Sequence, residues 1–151
     1  MELSTVYIES TAKTPQIDLN QFTGELIFSG RSIPENSSKL YEDILNWVTE
    51  YVKRPKHSTN LRFNLEYFNT SSSIWLAKIV RTLCTMLNNE YTLTIHLYFS
   101  IDEFDNMDAE DIKDELHPII HMVGNPTVNL FIKLYGTDDD GAILKESMVL
   151  L

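Results

Sequence analysis

Four consecutive hydroxyl residues, Thr70-Ser71-Ser72-Ser73, follow Asn69 where an alternating apolar run gives way to a helical pattern. At such a junction the backbone N–H groups face an incoming anion and the helix dipole favours negative charge, so the turn suits a phosphate. Phosphorylated Thr70 would gain about −1.5 to −2 charges and three acceptor oxygens, ordering the turn while repelling an acidic partner. A plainer use remains open, in which Thr70 or Ser71 only caps the helix, for about 1 kcal/mol. A third use, Thr70 or Ser71 as nucleophile, needs a base within hydrogen-bond reach, and His96 is the one candidate.

Other reactive residue types are weaker signals. His117 and His121 stand at i, i+4, the spacing that brings two imidazoles onto one helix face, but Pro118 disturbs the register and no zinc motif accompanies them. The acidic run Asp102 to Asp111 lacks the carboxylates at loop positions 1, 3 and 5 and the glycine at 6 that a calcium loop needs, and reads as a solvated face. Cys84 lies among Leu83, Met86 and Leu87 and reads as a small buried filler. No phosphate-binding glycine loop, dinucleotide fingerprint or nucleophile elbow is present, so an enzyme is not expected, nor a cofactor.

The elements that must position the hydroxyl turn follow from periodicity. Residues 1–20 hold one β-rich run, Val6-Tyr7-Ile8, then Pro15, which excludes a central strand position; they read as an entry arm or edge strand. Gly24 to Gly30 reads as a strand. Leu40, Ile44, Trp47, Val48 and Tyr51 recur at helical spacing, predicting a helix from about Ser37 to Lys53. From Asn60 the period becomes two, with Leu61, Phe63, Leu65 and Tyr67 on one side and Arg62, Asn64, Glu66 and Phe68 on the other. Beyond the hydroxyls, Leu76, Ile79, Val80, Leu83, Cys84 and Leu87 predict a helix from about Ser71 to Asn88, leaving Ile74, Lys78, Arg81 and Thr85 in water with Trp75 on the flank.

Strands are predicted again over Thr92 to Phe99 and Thr127 to Tyr135, with a kinked helix or two short helices between them around Ile112 to Val123, and Asp138 to Gly141 is a turn. Ala142 to Leu151 carries no readable pattern. Strands joined by helices imply parallel neighbours, so the expected fold is α/β: residues 1–151 as a single domain, with a mixed, mostly parallel sheet of four to five strands packed with helices.

Composition narrows the partners. The 151 residues carry 12 Lys+Arg against 22 Asp+Glu, a formal charge of −10, with no dense basic patch, so nucleic acid is not an expected partner. No apolar run is long enough to span a membrane and no leader pattern opens the chain, so a cytoplasmic protein with no membrane partner is expected.

Two stretches carry a family resemblance. Ser29-Gly30-Arg31-Ser32-Ile33-Pro34-Glu35-Asn36-Ser37 and Leu65-Glu66-Tyr67-Phe68-Asn69-Thr70-Ser71-Ser72-Ser73, with Thr14 to Asp18, Gly24 to Leu26 and Leu45 to Tyr51, resemble the SiaC-type regulatory phosphoproteins of bacteria over about residues 8 to 88. The resemblance implies a STAS-like (anti-sigma-factor-antagonist-like) domain working as a switch, not an enzyme. It implies phosphorylation by a cognate kinase on the threonine of the Asn-Thr-Ser-Ser turn, here Thr70 with Ser71 and Ser72 as fallbacks, and resetting by a PP2C-type phosphatase. In the unmodified form it implies binding to an effector such as a diguanylate cyclase, linking the switch to cyclic di-GMP and biofilm regulation. The expected partner-binding residues are Pro34, Glu35, Asn36, Ser37, Tyr67, Asn69, Ile74 and Trp75, because two strand-to-helix turns of a parallel sheet open on one edge. Ile74 stands where many members carry lysine. The alternative is a non-switching scaffold or small-ligand-binding STAS-like domain in which Thr70 is only a helix cap.

Overall fold

Alternating burial builds the centre of the molecule. In β3 (Glu25–Ser32) Leu26 and Phe28 are buried, in β4 (Ser58–Phe68) Leu61 and Phe63, and in β5 (Thr92–Ser100) Leu93 and Ile95. The same alternation puts Ile132 and Leu134 of β6 (Asn129–Thr137) inside. These four strands are parallel neighbours in chain order. The computed structural model describes residues 3–68, 70–86, 90–108 and 129–149.

Two helices make the crossovers on either side of β4. α1 (Ser37–Tyr51) joins β3 to β4 and α2 (Thr70–Leu83) joins β4 to β5. Successive right-handed crossovers between sequential strands place both on the same face, and Tyr41, Ile44, Trp47 and Val48 of α1 share one core with Leu76, Ile79, Val80 and Leu83 of α2. At the predicted α1 start, Asn36 is the N-cap and its side chain accepts from Lys39 N at 3.2 Å. α2 ends at Leu83, before the expected Asn88. Its last turn tightens through Thr85 N to Thr82 O (3.1 Å), while the Thr82 and Thr85 hydroxyls bond carbonyls at Lys78 and Thr82. Such local side-chain bonds compete with helix propagation.

Among the described residues the sheet has seven strands, where four to five were expected. The arm supplies two of them, β1 (Val6–Ile8) and β2 (Gln16–Asn20), paired antiparallel with each other and with β3. Pro15 stands just ahead of β2, so its missing N–H costs the ladder nothing. The chain's end supplies another, β7 (Ile143–Val149), antiparallel to β6. Its described side chains, Ile143 to Met148, are all exposed; no burial pattern marks it, and the strand is set by its ladder and by the preceding turn. In that turn the Asp138 carboxylate accepts from the N–H groups of Asp140 and Ala142, both at 2.9 Å.

A short helix, α3 (Ile101–Asn106), continues directly from β5, with Ser100 as its N-cap accepting from Glu103 N at 3.2 Å. Sequence periodicity missed it because none of its residues is buried. The helix predicted around Ile112 to Val123, and the pair His117 and His121 on it, lie outside the described residues. α3 packs on Gly136, where an added Cβ would come within 2.9 Å of both Ile101 Cδ1 and Phe104 Cγ.

Candidate functional site

β3, β4 and β5 run parallel, so the turns that start α1, α2 and α3 leave from one edge of the sheet. The last paired residues of β3 and β4 are Ser32 and Phe68, which fall in register. Thus the Ser32–Asn36 turn and the start of α2 are neighbours, as expected of two turns opening on a common edge. α2 begins at Thr70, directly after the end of β4.

The hydroxyl run divides by burial. Ser71 is exposed, whereas Ser72 is 0% exposed and joined to Ser32, also 0% exposed, 40 residues earlier in the chain. Ser32 Oγ donates to Ser72 Oγ at 2.9 Å, and Ser72 Oγ donates to the Ser32 carbonyl at 2.9 Å. Since the Ser32 proton is committed, the buried Tyr41 hydroxyl donates to Ser32 Oγ. Burial raises the Tyr41 pKa against the lowering effect of its serine partners, which keeps the phenol protonated for that role. This hydroxyl chain pins the first turn of α2 to the end of β3 and to α1, joining the two signature stretches. Periodicity places Tyr41 inward but carries no signal of its partner; Ser32 shows only as a polar residue at a strand end.

The remaining expected contact residues separate in the same way. Pro34 and Ser37 are buried. Glu35 and Asn36 are exposed, the first paired with Lys13 Nζ at 3.0 Å and the second used as the α1 cap. Ile74 is 51% exposed, and Trp75 is half-buried with Lys78 Nζ 4.5 Å from its ring centroid. Tyr67 is placed by its backbone opposite Arg31. Asn69 lies outside the described residues.

His96 is engaged elsewhere. It pairs across the ladder with Arg62, and β4 runs six more residues, to Phe68, before α2 starts. That is roughly 20 Å at the strand rise of about 3.3 Å per residue. Its Nε2 donates to Asn60 Oδ1 at 2.8 Å, and in the neutral ring Nδ1 then accepts from Tyr135 OH at 2.7 Å. Burial, then the charges of Arg62 and Lys133, lower its pKa to about 4, with Glu25 opposing. The base that a Thr70 or Ser71 nucleophile would need is therefore distant and occupied.

His96 belongs to a network on the sheet face opposite the helices. Arg62 donates through Nε to Glu25 Oε2 at 2.8 Å and through Nη1 to Tyr98 OH at 2.7 Å. Tyr98 stacks on Tyr135 with ring centroids 4.7 Å apart. The Glu25 contact is the main reason the Arg62 pKa is raised, so that charge is permanent. These residues sit at alternate positions of β3 to β6, and alternation marked the face but not the closure of the network. Cys84 is buried, as its neighbours suggested, and burial pushes its thiol up to about 12, where it is inert.

Residues 8–123 match the family model described as SiaC family regulatory phosphoprotein. An uncharacterized protein of Pseudomonas aeruginosa (strain UCBPP-PA14) is 34% identical over 70 residues, which is 46% of this chain and 56% of that relative, so the match spans about half of the relative's length. Among solved structures, apo-SiaC from Pseudomonas aeruginosa superposes with a TM-score of 0.61 at 22% identity, covering 84% of this chain and 98% of that one. SiaC in its complex with the diguanylate cyclase SiaD, which it activates, superposes with a TM-score of 0.62 at 22% identity, covering 83% and 97%. At that identity the likeness shows the fold.

Proposed function

The chain belongs to the SiaC family of regulatory phosphoproteins, and from that premise we propose that it is a partner switch with Thr70 as phosphoacceptor. A cognate kinase adds the phosphate and a PP2C-type phosphatase removes it. The unmodified chain binds an effector, of the diguanylate cyclase class if the solved complex of SiaC with SiaD is a guide. The chain acts by binding, as one STAS-like cytoplasmic regulatory unit, and catalyses nothing itself.

The observation that carries this reading is the position of Thr70. It opens a helix of 14 residues whose first turn holds no carboxylate, so a phosphate there meets the positive end of the dipole with no fixed negative charge against it. Ser72 is buried and bonded to Ser32, which leaves it out of a kinase's reach without local unfolding. Ser71, exposed, is the fallback. No helix among the described residues is long and apolar enough to cross a membrane.

Intact-mass and peptide analysis of the protein from its own cells, with and without PP2C-type phosphatase treatment, tests the proposal. One phosphate on Thr70, absent after treatment and absent from Thr70→Ala, is expected. In calorimetry with the effector, Thr70→Ala is expected to bind and Thr70→Glu to lose affinity. Unmodified Thr70 under every growth condition, with equal binding by both variants, would refute the switch.

A further inference from the structure

In a chain of net charge −10, α2 contains no Asp or Glu at all. Its exposed face instead reads Ile74, Lys78, Arg81 and, just past the helix, Thr85, at spacings that stack one above another on a helix. The contrast with α1 is direct, since that helix exposes Glu42, Asp43 and Glu50. Ile74 is 51% exposed and stands where a surface helix usually carries a polar residue. Beside it Trp75 is half-buried with the Lys78 ammonium over its ring, 4.5 Å from the centroid, which puts an aromatic side chain and a cation together.

We propose that this face of α2 is the effector-docking surface and that it takes a protein segment presenting carboxylates around one apolar side chain. The proposal rests on the partner-switch reading and adds the chemistry of the partner to it. Charge complementarity selects that occupant: the exposed face of α2 carries Lys78 and Arg81 with no carboxylate beside them, so it attracts an acidic segment and repels a basic one. The apolar side chain of the partner packs on Ile74 and Trp75, and its carboxylates meet Lys78 and Arg81. The same geometry gives the phosphate its effect. Thr70 lies four residues before Ile74, about 6 Å along the helix axis, inside the Debye length of about 8 Å at physiological ionic strength. Two new negative charges there repel the carboxylates of the partner without any change of fold.

A photo-crosslinking amino acid placed at Ile74 or Thr85, with a control at Phe22, which is 72% exposed in the β2–β3 turn, tests this in the protein's own cells. The expected adduct forms from the two α2 positions and not from Phe22, and the captured peptide carries more Asp and Glu than Lys and Arg. With Lys78→Glu and Arg81→Glu added, its yield falls about tenfold while the far-ultraviolet spectrum and melting of the chain stay as in the parent. A neutral or basic captured peptide, a yield indifferent to the charge reversal, or no adduct from α2 overturns the docking surface. Peptide mass analysis of the same preparations reads phosphate on Thr70 separately. Phosphate without an α2 adduct overturns the surface alone; an α2 adduct without phosphate under any condition overturns the switch it rests on.

Discussion

Removing the Ser72 hydroxyl by Ser72→Ala strips two hydrogen bonds from Ser32 at once, leaving it only the Tyr41 hydroxyl among its side-chain partners. The Ser32 carbonyl loses a donor at 2.9 Å and Ser32 Oγ loses its acceptor at 2.9 Å, in a place where both serines are 0% exposed. Each buried polar group left without a partner costs about 1–3 kcal/mol. Rotation of the Ser32 hydroxyl toward Tyr41 recovers part of the second loss, so the expected destabilisation is about 2–4 kcal/mol, a large share of the roughly 5–15 kcal/mol that holds a domain folded. Urea unfolding followed by tryptophan fluorescence reads it, with Ser32→Ala and the double variant completing a cycle. The double variant should cost less than the sum of the singles by about 1 kcal/mol or more, because each single strands the partner of the other. Thr70→Ala, by contrast, should move stability by no more than about 1 kcal/mol while, on the proposed switch, removing the phosphate. If Ser72→Ala unfolds within about 0.5 kcal/mol of the parent, the hydroxyl chain does not anchor α2 and the division between structural and signalling hydroxyls fails.

Two further substitutions probe the frame around the site. His96 keeps its proton off down to about pH 4 in the folded chain, against about 6.5 when unfolded. The unfolded state therefore binds the extra proton first, and stability falls as pH drops from about 6.5 toward 4; allowing for solvent screening on a half-open sheet face, comparison of the parent with His96→Gln by urea unfolding should show about 1–2 kcal/mol of this loss between pH 7 and pH 5 in the parent only. Gly24→Ala places a Cβ 2.5 Å from the Ser58 carbonyl oxygen at φ +76°, so the β2–β3 turn must shift off the start of β4, and a loss of about 2–3 kcal/mol in the same assay is expected. A neutral result there would mean that the turn relaxes without disturbing the ladder between Gly24 and Asn60.

Where burial repeats at a fixed period, the sequence by itself was enough. Leu40 to Tyr51 announced α1, whose start at Ser37 came out as predicted, and the alternation of Leu61 with Phe63 and of Leu93 with Ile95 announced two central strands. It also placed the hydroxyl turn at a strand-to-helix junction and put Ile74, Lys78 and Arg81 in water, because those features depend only on residues a few positions apart. β7 and α3 escaped, since a strand exposed on both faces and a helix with nothing buried have no periodic burial to read. Only the tertiary structure decided which hydroxyl of the run is anchored. Ser71 and Ser72 are chemically identical neighbours, and what separates them is Ser32, 40 residues away, brought alongside by the parallel register of β3 and β4. The same holds for His96, whose hydrogen-bond partners on β4 and β6 lie 36 and 39 residues distant. A side chain's role in a turn or on a face is local in sequence only when its partners are, and at the start of α2 they come from another strand.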